Sequence, residues 1–255
     1  MELHISGAWL LAVFFASIRL GVVFLASPWF GGFQVPRSFR VLFTLAFALN
    51  LVSTLGPETW AALPTSTAGV IAAAGAELVL GALFAFALEC AFAAFQFGGQ
   101  LLDSQIGFGI ANLIDPVTRA QSPLLGVALN MFALMLFFSL DAHHLVVRGM
   151  MWSLQAVPPG LANPSIDPVA VISQFGTVFT TGLQMVAGVS VLILLLDLGI
   201  AAMSRTMPQM NVFIVSIPLK VLVGIVVLAL SLPYMMAAIE RSFSDVFRFW
   251  ESVAG

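Results

Sequence analysis

The amino-acid sequence predicts an all-α, polytopic membrane-type protein with about six long helices. Of its 255 residues, 60% are hydrophobic and 8% are charged, whereas soluble domains carry about 25% charged residues. The formal net charge is only −3, which gives no reason to expect a nucleic-acid partner. These proportions indicate helices that lie in a lipid bilayer.

Six apolar segments are candidates to cross the hydrocarbon core of a membrane, which takes roughly 20 helical residues. They are Ile5–Phe30, Val41–Leu55, Thr67–Phe97, Leu124–Leu140, Val169–Met203 and Val212–Tyr234. The second and fourth are short, and the third and fifth are long, so we expect tilt, kinks or protrusion. The N-terminus has no basic leader, so we expect the first segment to be retained and not cleaved.

Charged residues occur inside the first and third of these segments, and also inside the fifth and sixth. Arg19 lies near the middle of the first, where a charge must face protein or water. In the third, small and acidic residues recur every four positions: Glu77, Gly81, Ala85, Glu89 and Ala93. This spacing predicts a ridge for close helix packing, along which the two glutamates are buried and need partners. An ion-binding site along the same ridge is the alternative.

The stretch between the third and fourth segments is rich in glycine, amides and carboxylates, interleaved with apolar residues. We predict a flexible, half-apolar loop over Gln96–Pro123, with Gly107–Asn112 at its centre. At membrane depth, irregular backbone persists only inside protein or along a watery cavity. Asp115 and Pro116 stop any helix beyond the centre. An ordinary surface connection is the alternative reading.

The Asp141–His144 stretch follows the fourth segment. Neighbouring histidines on a helix point about 100° apart and are poor ligands for one metal ion. We therefore interpret His143 and His144 as polar residues at an interface, and we expect no metal and no cofactor.

The last two segments contain further polar positions. The fifth has a stripe at Gln174, Thr177, Thr181, Gln184 and Gly188, which indicates a neighbouring helix or a water-filled path. If the following turn centres near Met207 and Pro208, Asp197 and Lys220 lie at similar depth on antiparallel helices. We predict that these two charges pair, because each alone is costly in a membrane.

The tail has the pattern of a separate amphipathic helix. Its apolar face consists of Met236, Ile239, Phe243, Val246, Trp250 and Val253. Charges of both signs occupy the other side, which favours docking onto a partner over binding to a membrane surface.

The most specific motif runs from Arg205 to Lys220 and reads Arg-x-x-Pro-Gln-x-Asn-x-Phe…Pro-x-Lys. It resembles the signature of the FliR/SpaR/YscT family of type III secretion export-gate proteins. The Gly107-Phe108…Asp115-Pro116 pattern and Arg19 with Pro36-Arg37 are similar to the same family. The resemblance extends over essentially the whole chain.

The resemblance implies a core subunit of the flagellar type III protein export gate in the bacterial inner membrane, within the flagellar basal body. Such a subunit joins FliP-like and FliQ-like subunits, and an FlhB-like subunit, around a closed channel for unfolded protein substrates. It also implies a FliP-like part over residues 1–168 that contains a plug loop at 96–123. A FliQ-like hairpin at 169–234 and an amphipathic helix at 235–255 complete the expected organisation.

The resemblance also assigns roles to particular residues. The pore plug comprises Ile106, Gly107, Phe108, Gly109, Ile110, Ala111 and Asn112, anchored by Asp115 and Pro116. The hairpin tip, a partner contact, comprises Arg205, Pro208, Gln209 and Asn211. Independently of the resemblance, the positions of five charged residues inside apolar segments lead us to expect buried charges, namely Arg19, Glu77, Glu89, Asp197 and Lys220.

No catalytic motif indicates an enzyme: the sequence has no nucleotide-binding Gly-Lys-Ser/Thr and no carboxylate–histidine cluster at metal spacing. A virulence injectisome subunit is one alternative, although Met207–Asn211 favours the flagellar system. An autonomous ion-coupled transporter using Glu77, Glu89 and Asp197 is the other. Transporters commonly have paired broken helices in two related halves, whereas one interrupted region dominates here.

Overall fold

A computed structural model describes residues 6–28, 36–56, 59, 63–108, 123–164, 166–206 and 212–254. Seven α-helices follow one another in this part of the chain. They are α1 Gly7–Ala26, α2 Arg37–Thr54, α3 Thr67–Ile106, α4 Leu124–Ser139, α5 Ala142–Ala156, α6 Pro168–Thr206 and α7 Val212–Ala254. The predicted all-α class is confirmed over these ranges.

Four helical stretches are long and apolar enough to cross a membrane. They are Gly7–Ala26, Thr67–Ile106, Pro168–Thr206 and Ser216–Met236, and the bent pair α4 and α5 makes a fifth if it counts as one span. The second predicted segment, α2, is not among them, because Arg37, Arg40 and Asn50 lower its hydropathy. The chain is therefore a polytopic helical membrane protein.

Three helices differ from the sequence prediction. Helix α3 continues through Gly98 and Gly99 to Ile106, so the predicted loop begins about ten residues too early. Helix α5 was not predicted as a separate segment. Helix α7 includes Pro218 and Pro233 and runs without a break to Ala254, so the predicted tail is its last part and not a separate helix.

The chain divides into two compact units that alternate along the sequence. Unit 1 comprises Met1–Cys90, Phe137–Gln174 and Phe243–Gly255, and unit 2 comprises Ala91–Leu136 and Phe175–Ser242. Helices α3, α6 and α7 each contribute to both units. The FliP-like and FliQ-like boundaries expected at 168 and 234 stay a prediction.

The core of unit 1 is built on α1. Its Phe24 ring lies 5.5 Å from the ring of Phe43 and 5.3 Å from that of Phe47, both on α2. The end of α7 completes this core, because the ring of Trp250 packs 4.8 Å from that of Phe84 on α3. Edge-to-face and tilted aromatic pairs of this kind add to the gain from apolar burial.

Unit 2 depends on close contacts between helix backbones at glycines. A methyl group on Gly98 of α3 would lie 3.0 Å from the carbonyl oxygen of Gly182 on α6. A methyl group on Gly182 would lie 2.7 Å from the carbonyl oxygen of Ala94. Gly99 meets Gly126 of α4 in the same way. Gly98 and Gly99, which the sequence pattern places in a loop, therefore serve helix packing.

Candidate functional site

A fully buried ion pair between α1 and α3 lies at the centre of unit 1. Arg19 Nε donates to Glu77 Oε2 at 2.6 Å, and Arg19 Nη2 donates to Glu77 Oε1 at 2.9 Å. Both side chains have 0% relative exposure. The guanidinium and carboxylate planes thus meet through two parallel hydrogen bonds, which is the strongest geometry available to this pair.

Two further groups complete the network around this pair. Arg19 Nη1 donates to the carbonyl oxygen and to Oγ of Ser153 on α5, each at 2.9 Å. The backbone N–H of Gly160, in the loop after α5, donates to Glu77 Oε1 at 2.7 Å. The carboxylate of Glu77 is therefore committed to fixed protein donors. This arrangement favours a structural role over the ion site considered from sequence.

Gly81 allows the ion pair to form. A methyl group at this position would lie 2.7 Å from the carbonyl oxygen of Arg19, which is backbone and cannot move aside easily. The predicted small-residue ridge therefore exists at Glu77 and Gly81.

The ridge does not extend to Glu89, which is exposed in the described chain. A four-residue step advances about 40° around an ideal helix, so three steps turn the ridge by about 120°. Glu89 thus departs from the burial expected of it. Its carboxylate lies on a different side of α3 from that of Glu77.

Asp103 is a buried polar residue whose role the sequence did not reveal. Its carboxylate accepts hydrogen bonds from the backbone N–H groups of Leu125, at 3.0 Å, and Gly126, at 3.1 Å. These are unpaired donors in the first turn of α4. Carboxylates stabilise helix N-termini, but this one lies 22 and 23 residues before its donors, on another helix, so the local sequence contains no signal for the contact.

The start of the predicted plug loop lies at the end of α3. Gly107 adopts a left-handed φ of 100° and its N–H donates to the carbonyl oxygen of Asp103 at 3.2 Å, which ends the helix as glycine commonly does. Ile106 belongs to α3 and is fully buried, with its side chain against Gly224 of α7. Its side chain therefore fills the core of unit 2 beside Gly224, which departs from the place in the pore plug expected of Ile106.

The remaining loop residues are only partly described. Phe108 follows Gly107 and is half-buried. Gly109, Ile110, Ala111 and Asn112 lie outside the described residues, as do the expected anchors Asp115 and Pro116.

The predicted pairing in the hairpin is confirmed. Lys220 Nζ of α7 lies 2.5 Å from Asp197 Oδ1 of α6. The two side chains remain 21% and 42% exposed, so neither is fully buried within this chain. Arg205 is exposed at the end of α6, and Pro208, Gln209 and Asn211 lie outside the described residues.

A cavity of about 260 Å³ opens beside Asp197. Its other lining residues are Gln105, Ser190, Val191, Ile193 and Leu194. Gln105 Oε1 is buried and accepts no hydrogen bond from the described residues. The cavity therefore combines an apolar wall with oxygen acceptors suited to water or to a polar side chain.

The polar stripe of α6 is divided between the interior and the surface. Gln174 and Thr181 are buried, whereas Gln184 and Gly188 are exposed, and nothing lies within 4 Å of a methyl group placed on Gly188. The amphipathic end of α7, in contrast, docks onto its own chain. Trp250 Nε1 donates to the carbonyl oxygen of Phe84 at 3.0 Å, and Phe243, Val246 and Val253 are buried.

The long apolar helices, the buried ion pair and the largely exposed C-terminal hairpin together define a polytopic membrane protein. Residues 10–246 match the sequence model of the family described as bacterial export proteins, family 1. The chain belongs to this family. It is the FliR/SpaR/YscT family, whose signature the Arg205–Lys220 motif resembles.

Relatives match over most of their length. The chain is 32% identical over 231 residues to the flagellar biosynthetic protein FliR of Bacillus subtilis (strain 168), covering 89% of this chain and 88% of that protein. It is 24% identical to the protein of the same name from Escherichia coli (strain K12), covering 94% and 91%. It is 25% identical to the Yop proteins translocation protein T of Yersinia pestis, covering 66% of each.

Proposed function

We propose that this chain is a non-catalytic core subunit of the flagellar type III protein export gate in the bacterial inner membrane. With FliP-like and FliQ-like subunits it forms a closed channel through which unfolded flagellar proteins leave the cytoplasm. An FlhB-like subunit joins the same assembly. In this proposal the chain supplies structure and closure, and the energy for export comes from elsewhere.

The observation that carries the proposal is the exposure of the C-terminal hairpin. In the candidate spans of α6 and α7, 22% and 11% of the residues are buried inside the chain, against 56% and 61% in α1 and α3. Lipid can cover the apolar part of this surface, but it covers the amide of Gln184 poorly. Helices of other subunits can pack against the apolar side chains and can also hydrogen-bond to the amide. This exposed surface therefore supports a subunit of an assembly over a lone transporter.

The relatives support the flagellar system. The chain is 32% identical to a flagellar FliR over 89% of its length, and its match to the Yersinia translocation protein covers only 66%. An equivalent subunit of a virulence injectisome is the second candidate, and that Yersinia match is the observation that favours it.

Closure of the channel is assigned to the loop after α3. Gly107 through Asn112 form the plug, with Phe108 and Ile110 as apolar contacts that exclude water from a narrow path. Ile106 holds the base of the plug, because its side chain is fixed beside Gly224. Asp115 and Pro116 anchor the far end of the loop.

The remaining assignments concern the hairpin and the organisation of the chain. Arg205, Pro208, Gln209 and Asn211 form the hairpin tip and contact a partner. The FliP-like part spans residues 1–168 and the FliQ-like hairpin spans residues 169–234. The exposure of Arg205 is consistent with a tip that is available for contact.

Affinity purification of the full-length chain from membranes of its source bacterium tests the assembly. We expect FliP-like and FliQ-like proteins to co-purify in mild detergent. The variant Gly188→Leu enlarges an open position on α6 and should lower their recovery several-fold, because an intersubunit packing defect costs about 1–3 kcal/mol. Gly75→Leu, at an equally open position on α3, is the matched control and should retain them. A wild-type preparation free of both proteins would contradict the proposal.

A further inference from the structure

The turn between α4 and α5 holds three side chains of the kinds that bind metal ions. Asp141, His143 and His144 each place one ligand atom within 4.8 Å of the other two. All three lie in unit 1. We propose that they form a site for a divalent transition-metal ion such as Zn²⁺, Co²⁺ or Ni²⁺, a function separate from the proposed export role.

Asp141 is placed as a ligand and not as a helix cap. It precedes the first residue of α5 and has a left-handed φ of 55°. An aspartate at this position usually accepts a hydrogen bond from a backbone N–H of the first helical turn. Here its side chain makes no such bond, and its Oδ1 lies 3.5 Å from Nδ1 of His144.

This separation matches that of two ligands on one metal ion. Bonds from zinc to nitrogen or oxygen are about 2.0–2.2 Å long, so neighbouring ligands in a tetrahedral site lie about 3.4 Å apart. The 3.5 Å between Asp141 Oδ1 and His144 Nδ1 fits this value without adjustment. The third ligand atom, within 4.8 Å, needs to move by at most about 1.4 Å.

His143 supplies independent support. Its Nδ1 atom is buried and makes no hydrogen bond with the described residues, although a buried polar atom without a partner costs about 1–3 kcal/mol. The ring is held 5.4 Å from that of Phe138 and 4.1 Å from that of His144. The two imidazole rings therefore lie side by side, although their neighbouring positions on a helix predict that they point apart.

The donor set identifies the class of ion. Two imidazoles and one carboxylate suit zinc, cobalt, nickel and copper, whereas calcium and magnesium take oxygen ligands. The side chains of His144 and Asp141 are 64% and 72% exposed. Water can therefore reach the ion and complete its coordination.

Metal binding by the full-length chain tests the site. The chain carries a histidine-free affinity tag, is purified with the subunits that accompany it, and is stripped with a chelator. It is then dialysed against Zn²⁺, and bound zinc is counted by elemental mass spectrometry. We expect the wild type to hold about one more Zn²⁺ per chain than His144→Gln. His143→Gln and Asp141→Asn should each weaken binding by about 10-fold or more.

His4→Gln is the matched control. It removes the one histidine of the sequence outside the proposed site and should leave the zinc content unchanged. Asp141→Asn keeps a residue that tolerates left-handed backbone, so its loss of zinc cannot be attributed to misfolding of the turn. Co²⁺ provides a second readout, through visible absorption bands that the three variants should lose. Equal zinc content in the wild type and all three variants would overturn the proposal.

Discussion

Lys220 and Asp197 form an ion pair, 2.5 Å from Nζ to Oδ1, that joins the two arms of the C-terminal hairpin. The pair lies beside the cavity lined by Gln105 and Ser190. Both side chains remain partly exposed within this chain. If the chain assembles as proposed, the pair is therefore within reach of a neighbouring subunit.

The ion pair should act as one unit in mutants. Asp197→Ala and Lys220→Ala should each reduce co-purification of the partner subunits, because each leaves one charge uncompensated at membrane depth. The double mutant should be no worse than either single mutant. Ser204→Ala, which removes only a local hydrogen bond to Ala201, is the control. Additive losses in this double-mutant cycle would contradict the functional coupling of the pair.

Breaking the buried Arg19–Glu77 pair in unit 1 should lower the stability of the protein more than removing an exposed acidic side chain. Glu77→Ala leaves the Arg19 guanidinium buried without its counter-charge, which costs about 3–5 kcal/mol. We expect the variant to accumulate poorly in membranes and to denature at lower temperature. Glu89→Ala, on the same helix but exposed, is the matched control and should behave like the wild type. Equal stability of the two variants would show that the Arg19 network is dispensable.

Helix packing in unit 2 should be sensitive to single methyl groups. Gly182→Ala places a methyl group 2.7 Å from a carbonyl oxygen of α3, and such overpacking costs about 1–3 kcal/mol. Gly176→Ala, on the same helix with nothing within 4 Å, should be neutral. The melting temperatures of the two variants, measured by thermal denaturation in detergent, distinguish these outcomes. Equal melting temperatures for both variants and the wild type would contradict close packing of α3 against α6 at Gly182.

If the loop after α3 is the plug, its removal should make the channel permeable to small ions. Deleting Gly107–Asn112 should leave the complex assembled but permeable to small ions, so that induction dissipates the membrane potential and slows growth. Phe108→Ala should leak less, because other apolar contacts remain. Ile106→Ala should instead destabilise the chain by about 2–5 kcal/mol, since its side chain is packed in unit 2. A deletion variant that assembles and stays as tight as the parent would falsify the plug assignment.

Much of the fold follows from hydropathy and helix periodicity. The apolar runs located most helices, and the opposite charges of Asp197 and Lys220 predicted a contact that the structure contains. The position of Arg19 indicated a buried partner. The position of Arg19 alone could not show that its partners are Glu77 and Ser153. These residues are more than fifty positions away in the sequence, so the pairing depends on the tertiary fold.

Glycines account for the main difference between the predicted and the observed start of the loop after α3. Gly98 and Gly99 suggested a loop because glycine tolerates turns, but in α3 they let neighbouring helices approach closely. Local sequence does not distinguish these two uses. Among the described glycines of the predicted loop, Gly107, with its left-handed backbone, acts as the sequence suggested. Asp103 was missed for a related reason, because the donors that it satisfies belong to another helix.

Protein export by the source bacterium tests the central claim most directly. Flagellar proteins are quantified by mass spectrometry in cells and in culture medium, with the gene for this chain deleted and then restored. We predict that the deletion strain retains these proteins or their precursors in the cell and releases none, and that the intact chain restores release. Normal release of flagellar proteins by the deletion strain would contradict the assignment of this chain to the export gate.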